Sequence, residues 1–276
     1  MNPDPLTPNA VFVAWRDPVH HRCYPVGRLS RVLVDGNDEY EFAYVRGVDP
    51  AREAGFRTIA SFDEIERVYW SRTLYPFFAN RIMAESRPDR AAFLDRLLLR
   101  SADPLEVLAR TGGIRATDSF EVFPLPRFDA EVPGFRTLFL VHALRHFPPT
   151  AHDRIQELGV GEKLLFMPDS QNEFDPHAIA LRTEDRVLVG HVPNYLLLEV
   201  YQLAANCEFA VEFSVAKINP PPAPLDQRML CELRSCWPPN FYPFVDARFR
   251  PVSHLQAIQT EKLIGAPDEI EWYSPA

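Results

Sequence analysis

The stretch "NEFDPHAIALRTEDRVLVGHVP", residues 172–193, decides how the second half of the chain is read. Two short apolar runs, "HAIALRT" (177–183) and "RVLVGHVP" (186–193), flank an acidic turn, which is the pattern of a strand pair. Asn172, Phe174 and Asp175 precede the pair, and Gly190 and His191 close it. Asn and Asp at such positions have two uses. They bond the backbone of a tight turn, or they line a pocket in which an aromatic ring and a fixed carboxylate hold a ligand.

The flanking sequence extends the β reading. "TLFLVHAL" (137–144) and "EKLLFMP" (162–168) are strand-like, and "CEFAVEFSVAKI" (207–218) alternates with period two over Phe209, Val211, Phe213 and Val215. "NYLLLEVYQLAAN" (194–206) is the one short apolar helix of this region. The prolines of "INPPPAPLD" (218–226) can neither continue a helix nor sit in a central strand, so this is a rigid excursion before "LDQRMLCELRS" resumes an extended pattern. Many strands with one helix predict a small, partly open barrel.

The first half reads as strands, then helices, then a strand. "AVFVAW" (10–15), "VGRLSRVLVDG" (26–36) and "EYEFAYVRG" (39–47) are strands, with "DGND" turning between the last two. "RPDRAAFLDRLLLR" places Ala92, Phe93, Leu97 and Leu98 on one stripe of a helix. A second helix is fully punctuated: Asp103 as N-cap, Pro104 as first residue, Glu106 three after the cap, and Gly112-Gly113 as the stop. "DSFEVFPL" returns to strand. The proline-marked joint "FPLPRFDAEVPG" (123–134) divides the chain into a mixed α+β domain at 1–125 and a β-barrel domain at 134–236. The remainder, 237–276, opens with the aromatic, Pro-rich "CWPPNFYPFVDARFRPV" and is expected to pack on the domains as an ordered tail.

Composition narrows the function classes. The net charge is −9, and neither the two domains nor the tail carries a basic excess, which opposes a surface coated for long nucleic-acid backbones. Binding to DNA would use a local cluster or recognise an end. Only three of the 29 basic residues are lysine (Lys163, Lys217, Lys262); arginine forks suit phosphate and carboxylate, and a GC-rich coding sequence accounts for the same bias. No run reaches the length of a membrane span, and the N-terminus lacks the basic start and apolar core of a signal peptide. The four cysteines (Cys23, Cys207, Cys231, Cys236) lack finger-like spacing, so Cys231 and Cys236 read as buried thiols of a reduced, cytoplasmic protein with no metal and no cofactor.

Three blocks in order carry a resemblance: Ala143-Leu144-Arg145-His146-Phe147, Asn172-Glu173-Phe174-Asp175-Pro176-His177-Ala178-Ile179, and Gly190-His191-Val192-Pro193. Together they resemble the HIRAN domain over about 100 residues. The resemblance implies an OB-like β-barrel and, from helicase-associated members, a module gripping the 3′ end of single-stranded DNA. The chain departs from the family pattern at Ala143, where a glycine is usual, and at His146, where a tyrosine is common. The residues themselves suit an end. Asp175 would accept a terminal hydroxyl proton, and Phe147 and Phe174 would stack bases at roughly 1–3 kcal/mol each. Arg145 would fork onto phosphate. His191 would donate to a phosphate or sugar oxygen. His146 and Asn172 complete the candidate DNA-binding set. In the bland alternative Asn172 and Asp175 shape a turn, Phe174 is core and His177 faces solvent.

In the first domain Gly27-Arg28-Leu29 and Pro76-Phe77-Phe78-Ala79-Asn80 resemble the N-terminal subdomain of HipA-type kinases. That subdomain carries no catalytic residues, and the chain has no kinase loop motifs, esterase elbow, Walker loop or dinucleotide fingerprint. His20-His21 with Asp63, Glu64 and Glu66 reads as solvated loop or helix start, and Asp175 with His191 as an acid/base pair without a nucleophile. The expectation is a non-enzymatic binder of single-stranded DNA or DNA 3′ ends, with the first domain as adaptor, in stress response, DNA repair or phage defence. The alternative is a toxin–antitoxin-type regulator docking a separate HipA-like kinase core through Trp70 and Phe77.

Overall fold

The computed structural model describes residues 8–99, 102–126, 134–207 and 211–253. They form two compact units: 8–85, 102–126 and 242–253 in the first, 86–99, 134–207 and 211–241 in the second. The chain therefore passes between units more often than the single joint at 123–134 predicts. Residues 86–99 belong with the second unit, and the tail splits near residue 241.

The first unit starts with β1 (Ala10–Arg16), β2 (Cys23–Val34) and β3 (Asn37–Tyr44), then α1 (Val48–Glu53), β4 (Tyr69–Ser71) and α2 (Pro76–Ala79). After α3 (Arg90–Arg96), which lies in the second unit, α4 (Pro104–Thr111) and β5 (Phe120–Pro124) complete it. The strands make one antiparallel sheet in the order β4-β3-β2-β1-β5. Its core is aromatic: the Phe42 and Phe62 rings stack at 3.8 Å, and Phe78 is fully buried beside them. The Tyr44 hydroxyl donates to the Phe62 carbonyl at 2.5 Å and accepts from the Ile59 amide at 2.9 Å, and burial pushes its pKa up to about 12. The caps of α4 are as its sequence dictates. Asp103 accepts from the amides of Leu105 and Glu106, and Gly112 takes the left-handed φ of 70° that ends the helix. From the tail, Phe244 and Phe249 pack edge-on against Phe12, and Val252 donates to the Tyr44 carbonyl.

The second unit contains β6 (Phe135–Leu140), α5 (Pro149–Glu157), β7 (Lys163–Pro168), β8 (Ile179–Arg182), β9 (Leu188–His191), α6 (Leu197–Asn206), β10 (Glu212–Ile218) and β11 (Met229–Ser235). Its six-stranded antiparallel sheet runs β6-β11-β10-β7-β8-β9. The sheet curls until its two ends meet: just past β6, His142 bridges to His191 of β9 through backbone bonds of 3.0 and 3.1 Å. Gly190 permits that approach, because a Cβ there would lie 2.2 Å from Val141 Cγ1 and 3.0 Å from the His142 carbonyl. Phe139, Phe213, Leu164, Leu181, Val189 and Leu203 fill the interior.

Two expectations are corrected in this unit. It holds more than one helix: α5 packs Ala151 and Ile155 inward, two apolar residues in an otherwise polar segment, and α3 is also part of it. Lys217 of β10 fastens α3 by bonding the Asp95 carbonyl at 2.6 Å and its carboxylate at 2.8 Å. The thiol reading, made for Cys231 and Cys236, holds for Cys231 and fails for Cys236. Cys207 and Cys236 form a disulfide across a Cα separation of 6.0 Å, while Cys23 and Cys231 are free. Burial raises the Cys231 thiol well above its ordinary range.

Candidate nucleic-acid interface

Strand register explains which side chains meet. Met167, Ala180 and His191 are cross-strand partners on β7, β8 and β9, so they share one face. Asp169 lies two residues beyond Met167, on the same face, and its Oδ2 meets His191 Nε2 at 2.9 Å. The bond from His191 holds the Asp169 carboxyl below its ordinary range against the opposing effect of burial. A carboxylate only accepts, so the proton of this bond sits on Nε2. The other ring nitrogen, Nδ1, is buried and has no hydrogen-bond partner among the described residues. The Phe147 ring lies 5.6 Å from the His191 ring at 45°.

The β7–β8 loop is built of two turns, closed by Asn172 N to Asp169 O at 3.0 Å and Ala178 N to Asp175 O at 3.0 Å. Asn172 Oδ1 accepts from the amides of Phe174 and Asp175, both at 3.1 Å, and its Nδ2 donates to Asp169 Oδ2 at 3.2 Å. Asp175 Oδ1 accepts from the His177 amide at 2.9 Å, and Oδ2 takes the side-chain amide of Asn194. Asn172 and Asp175 thus do what the turn reading assigns them. That work leaves Phe174 outside the core: 68% of its surface is exposed on a backbone fixed from both sides.

Of the seven candidate residues, the structure links Asn172, Phe174 and Asp175 within the loop, and joins His191 to it through Asp169. Phe147 meets His191. Arg145 and His146 are exposed on the 3-10 turn Leu144–His146, where Arg145 Nε donates to His146 Nε2 at 3.0 Å. That turn is braced by His152, which bonds the Leu144 carbonyl at 2.8 Å, and it starts from Ala143 in the left-handed region at φ 65°. The acid/base pairing of Asp175 with His191 is not formed; the carboxylate facing His191 is Asp169. Asp169 and Asn194 went unmarked in the sequence. Strand parity alone could have pointed to Asp169, and only once the register was known.

Elsewhere, His20 Nδ1 bonds Asp17 at 2.8 Å, and Asp63 and Glu64 bond to Tyr69 and Arg67, each within a local loop. Phe77, read as an interface anchor, is half-buried with the Arg81 guanidinium 4.1 Å over its ring; Trp70 on β4 is 48% exposed. Among the described residues no group of three or more His, Cys, Asp or Glu could hold a metal ion, and no helix is long and apolar enough to cross a membrane.

No curated protein matches the chain. Two solved structures resemble part of it. A protein from Lactobacillus plantarum shares 16% identity, with 38% of this chain and 94% of that one covered, at a TM-score of 0.28. The HIRAN domain of human HLTF shares 17%, covering 48% of this chain and 89% of that domain, at a TM-score of 0.26. The family model of the HIRAN domain matches residues 135–235, from the start of β6 to the end of β11, and this part of the chain is a HIRAN domain.

Proposed function

We propose that the second unit binds the 3′ end of single-stranded DNA, through Phe174 and Phe147 as stacking surfaces and the turn around Asn172 and Asp175 as the end stop. HIRAN domains are generally DNA-binding modules, and residues 135–235 match that family. The observation that carries the reading is Phe174, an aromatic ring 68% exposed on a backbone pinned by Asn172 and Asp175. A pinned, exposed aromatic is what stacking on a base requires, since little ordering remains to oppose the contact. An end-binder needs few phosphate contacts, so an acidic chain can serve, with Arg145 as the local positive group and His146 as the acceptor that orients its guanidinium. Under this reading the protein is non-enzymatic and the first unit is its adaptor.

The test is fluorescence anisotropy at low salt with matched oligonucleotides ending in a 3′-hydroxyl or a 3′-phosphate. Phe174→Ala is the informative variant, because Asp175→Ala would also release the His177 and Asn194 bonds. Tighter binding to the 3′-hydroxyl, weakened about tenfold in Phe174→Ala at unchanged melting temperature, supports the reading. Equal binding to both ends, or an unchanged Phe174→Ala affinity, defeats it.

A further inference from the structure

We infer that Asp169 is a positioning residue of this interface: it fixes which nitrogen of His191 carries the proton, and with the same oxygen it anchors the loop that presents Phe174. The inference deepens the end-binding reading and takes its ligand from it.

Two independent features select one ring tautomer. Asp169 Oδ2, 2.9 Å from Nε2, demands a donor there. At Nδ1 the opposite holds, because a proton on that buried atom would have no acceptor among the described residues. The imidazole is thereby held as the Nε2–H form, its orientation set by Asp169 and its ring 5.6 Å from that of Phe147 at 45°. This changes the role expected for His191. Its one donor is already committed to Asp169, so it orients Phe147 rather than donating to a phosphate or sugar oxygen.

The second contact of Asp169 Oδ2, with Asn172 Nδ2 at 3.2 Å, extends the effect. Asn172 holds the amides of Phe174 and Asp175, and Asp175 holds Asn194. One carboxylate oxygen therefore joins β9 to the β7–β8 loop, and the two aromatic surfaces, Phe147 and Phe174, are set by groups that share it. Loss of Asp169 is expected to disturb both surfaces at once, whereas Phe174→Ala removes only one.

The experiment uses the full chain labelled with 15N-histidine. Long-range 1H–15N spectra report the tautomer of each ring, and His191 is assigned by the signal missing from His191→Gln. Wild type should give the Nε2–H pattern at His191. Asp169→Ala should lose it and bind the 3′-hydroxyl oligonucleotide about tenfold more weakly. Asp169→Asn, whose amide oxygen can still accept, should keep the pattern and bind within about threefold of wild type. A His191 proton on Nδ1 in wild type overturns the inference without any variant, so failure of Asp169→Ala to fold does not protect it. An unchanged tautomer in Asp169→Ala, or Asp169→Asn as damaging as Asp169→Ala, overturns it equally. If wild type binds no oligonucleotide, the end-binding reading falls while the tautomer measurement still decides what Asp169 does.

Discussion

In the first unit Phe77 lies half-buried between Phe78, Phe120 and the Arg81 guanidinium, whereas in the second Phe174 keeps 68% of its surface open. In sequence the two look reversed. "ERVYWSRTLYPFF" is an Arg-flanked aromatic run of the kind that marks an interface, and "NEFD" is an ordinary turn. The difference lies in where the partners are. Arg81 donates to both oxygens of Asp118 at 3.1 and 2.7 Å and to the Gly113 carbonyl at 2.8 Å, and it caps Phe77, so Phe77 and Arg81 are answered within the first unit, although Trp70 of the same run stays 48% exposed. In the second unit the polar side chains of the β7–β8 loop answer one another and the backbone, which leaves the ring to face outward.

The contrast breaks if the Arg81 cluster proves dispensable. Its guanidinium is 1% exposed, and removing one partner of a buried pair typically costs 3–5 kcal/mol. Arg81→Ala is expected to destabilise the first unit by about 4 kcal/mol. Hydrogen exchange should lose protection around α2 and β5 and leave β7 to β9 unchanged. A loss of less than about 1 kcal/mol would mean that Phe77 is free to serve as a docking residue after all.

The second unit has a covalent counterpart to that cluster. The Cys207–Cys236 disulfide ties the end of α6 to the end of β11 across a sequence separation of 29. Closing a loop of that size is expected to stabilise by about 3–4 kcal/mol. Reductant or Cys207→Ser should therefore lower the melting temperature of the second unit. Thiol titration of the denatured chain should find two free thiols before reduction and four after it. Four thiols without reduction would return the protein to the reduced state expected from its cysteine spacing.

What could be read from sequence was what local chemistry determines. The Asp103 cap, Pro104 and Gly112 delimit α4 because each acts within a few residues of itself. Alternation marked β10, and the three HIRAN-like blocks placed the candidate loop. The rest depends on pairing across distance. The Asp169–His191 contact joins residues 22 apart and follows only from the register of three strands. Cys236 was read with its near neighbour Cys231, but Cys231 lies buried within β11, and Cys236, just past the strand end, reaches Cys207. α5 escaped because two buried residues in nine give a weak apolar stripe.

Ala143 offers the finest comparison, between a residue and its own backbone. It stands where the family pattern has glycine, and it adopts φ 65°, ψ 8°, a conformation that glycine takes without penalty. A left-handed alanine costs roughly 1–2 kcal/mol, and part of that returns as the greater unfolded-chain freedom of a glycine. Ala143→Gly is therefore expected to stabilise the second unit by about 0.5–1 kcal/mol, raising its denaturant midpoint without changing the slope. The substitution touches no proposed contact: Arg145, His146 and Phe147 follow it on the same turn, and oligonucleotide affinity should hold or improve slightly as that turn settles. A lower midpoint would mean that the Ala143 side chain contributes packing exceeding the strain of its backbone, and the departure from glycine at this position would then be a stabilising feature of this chain.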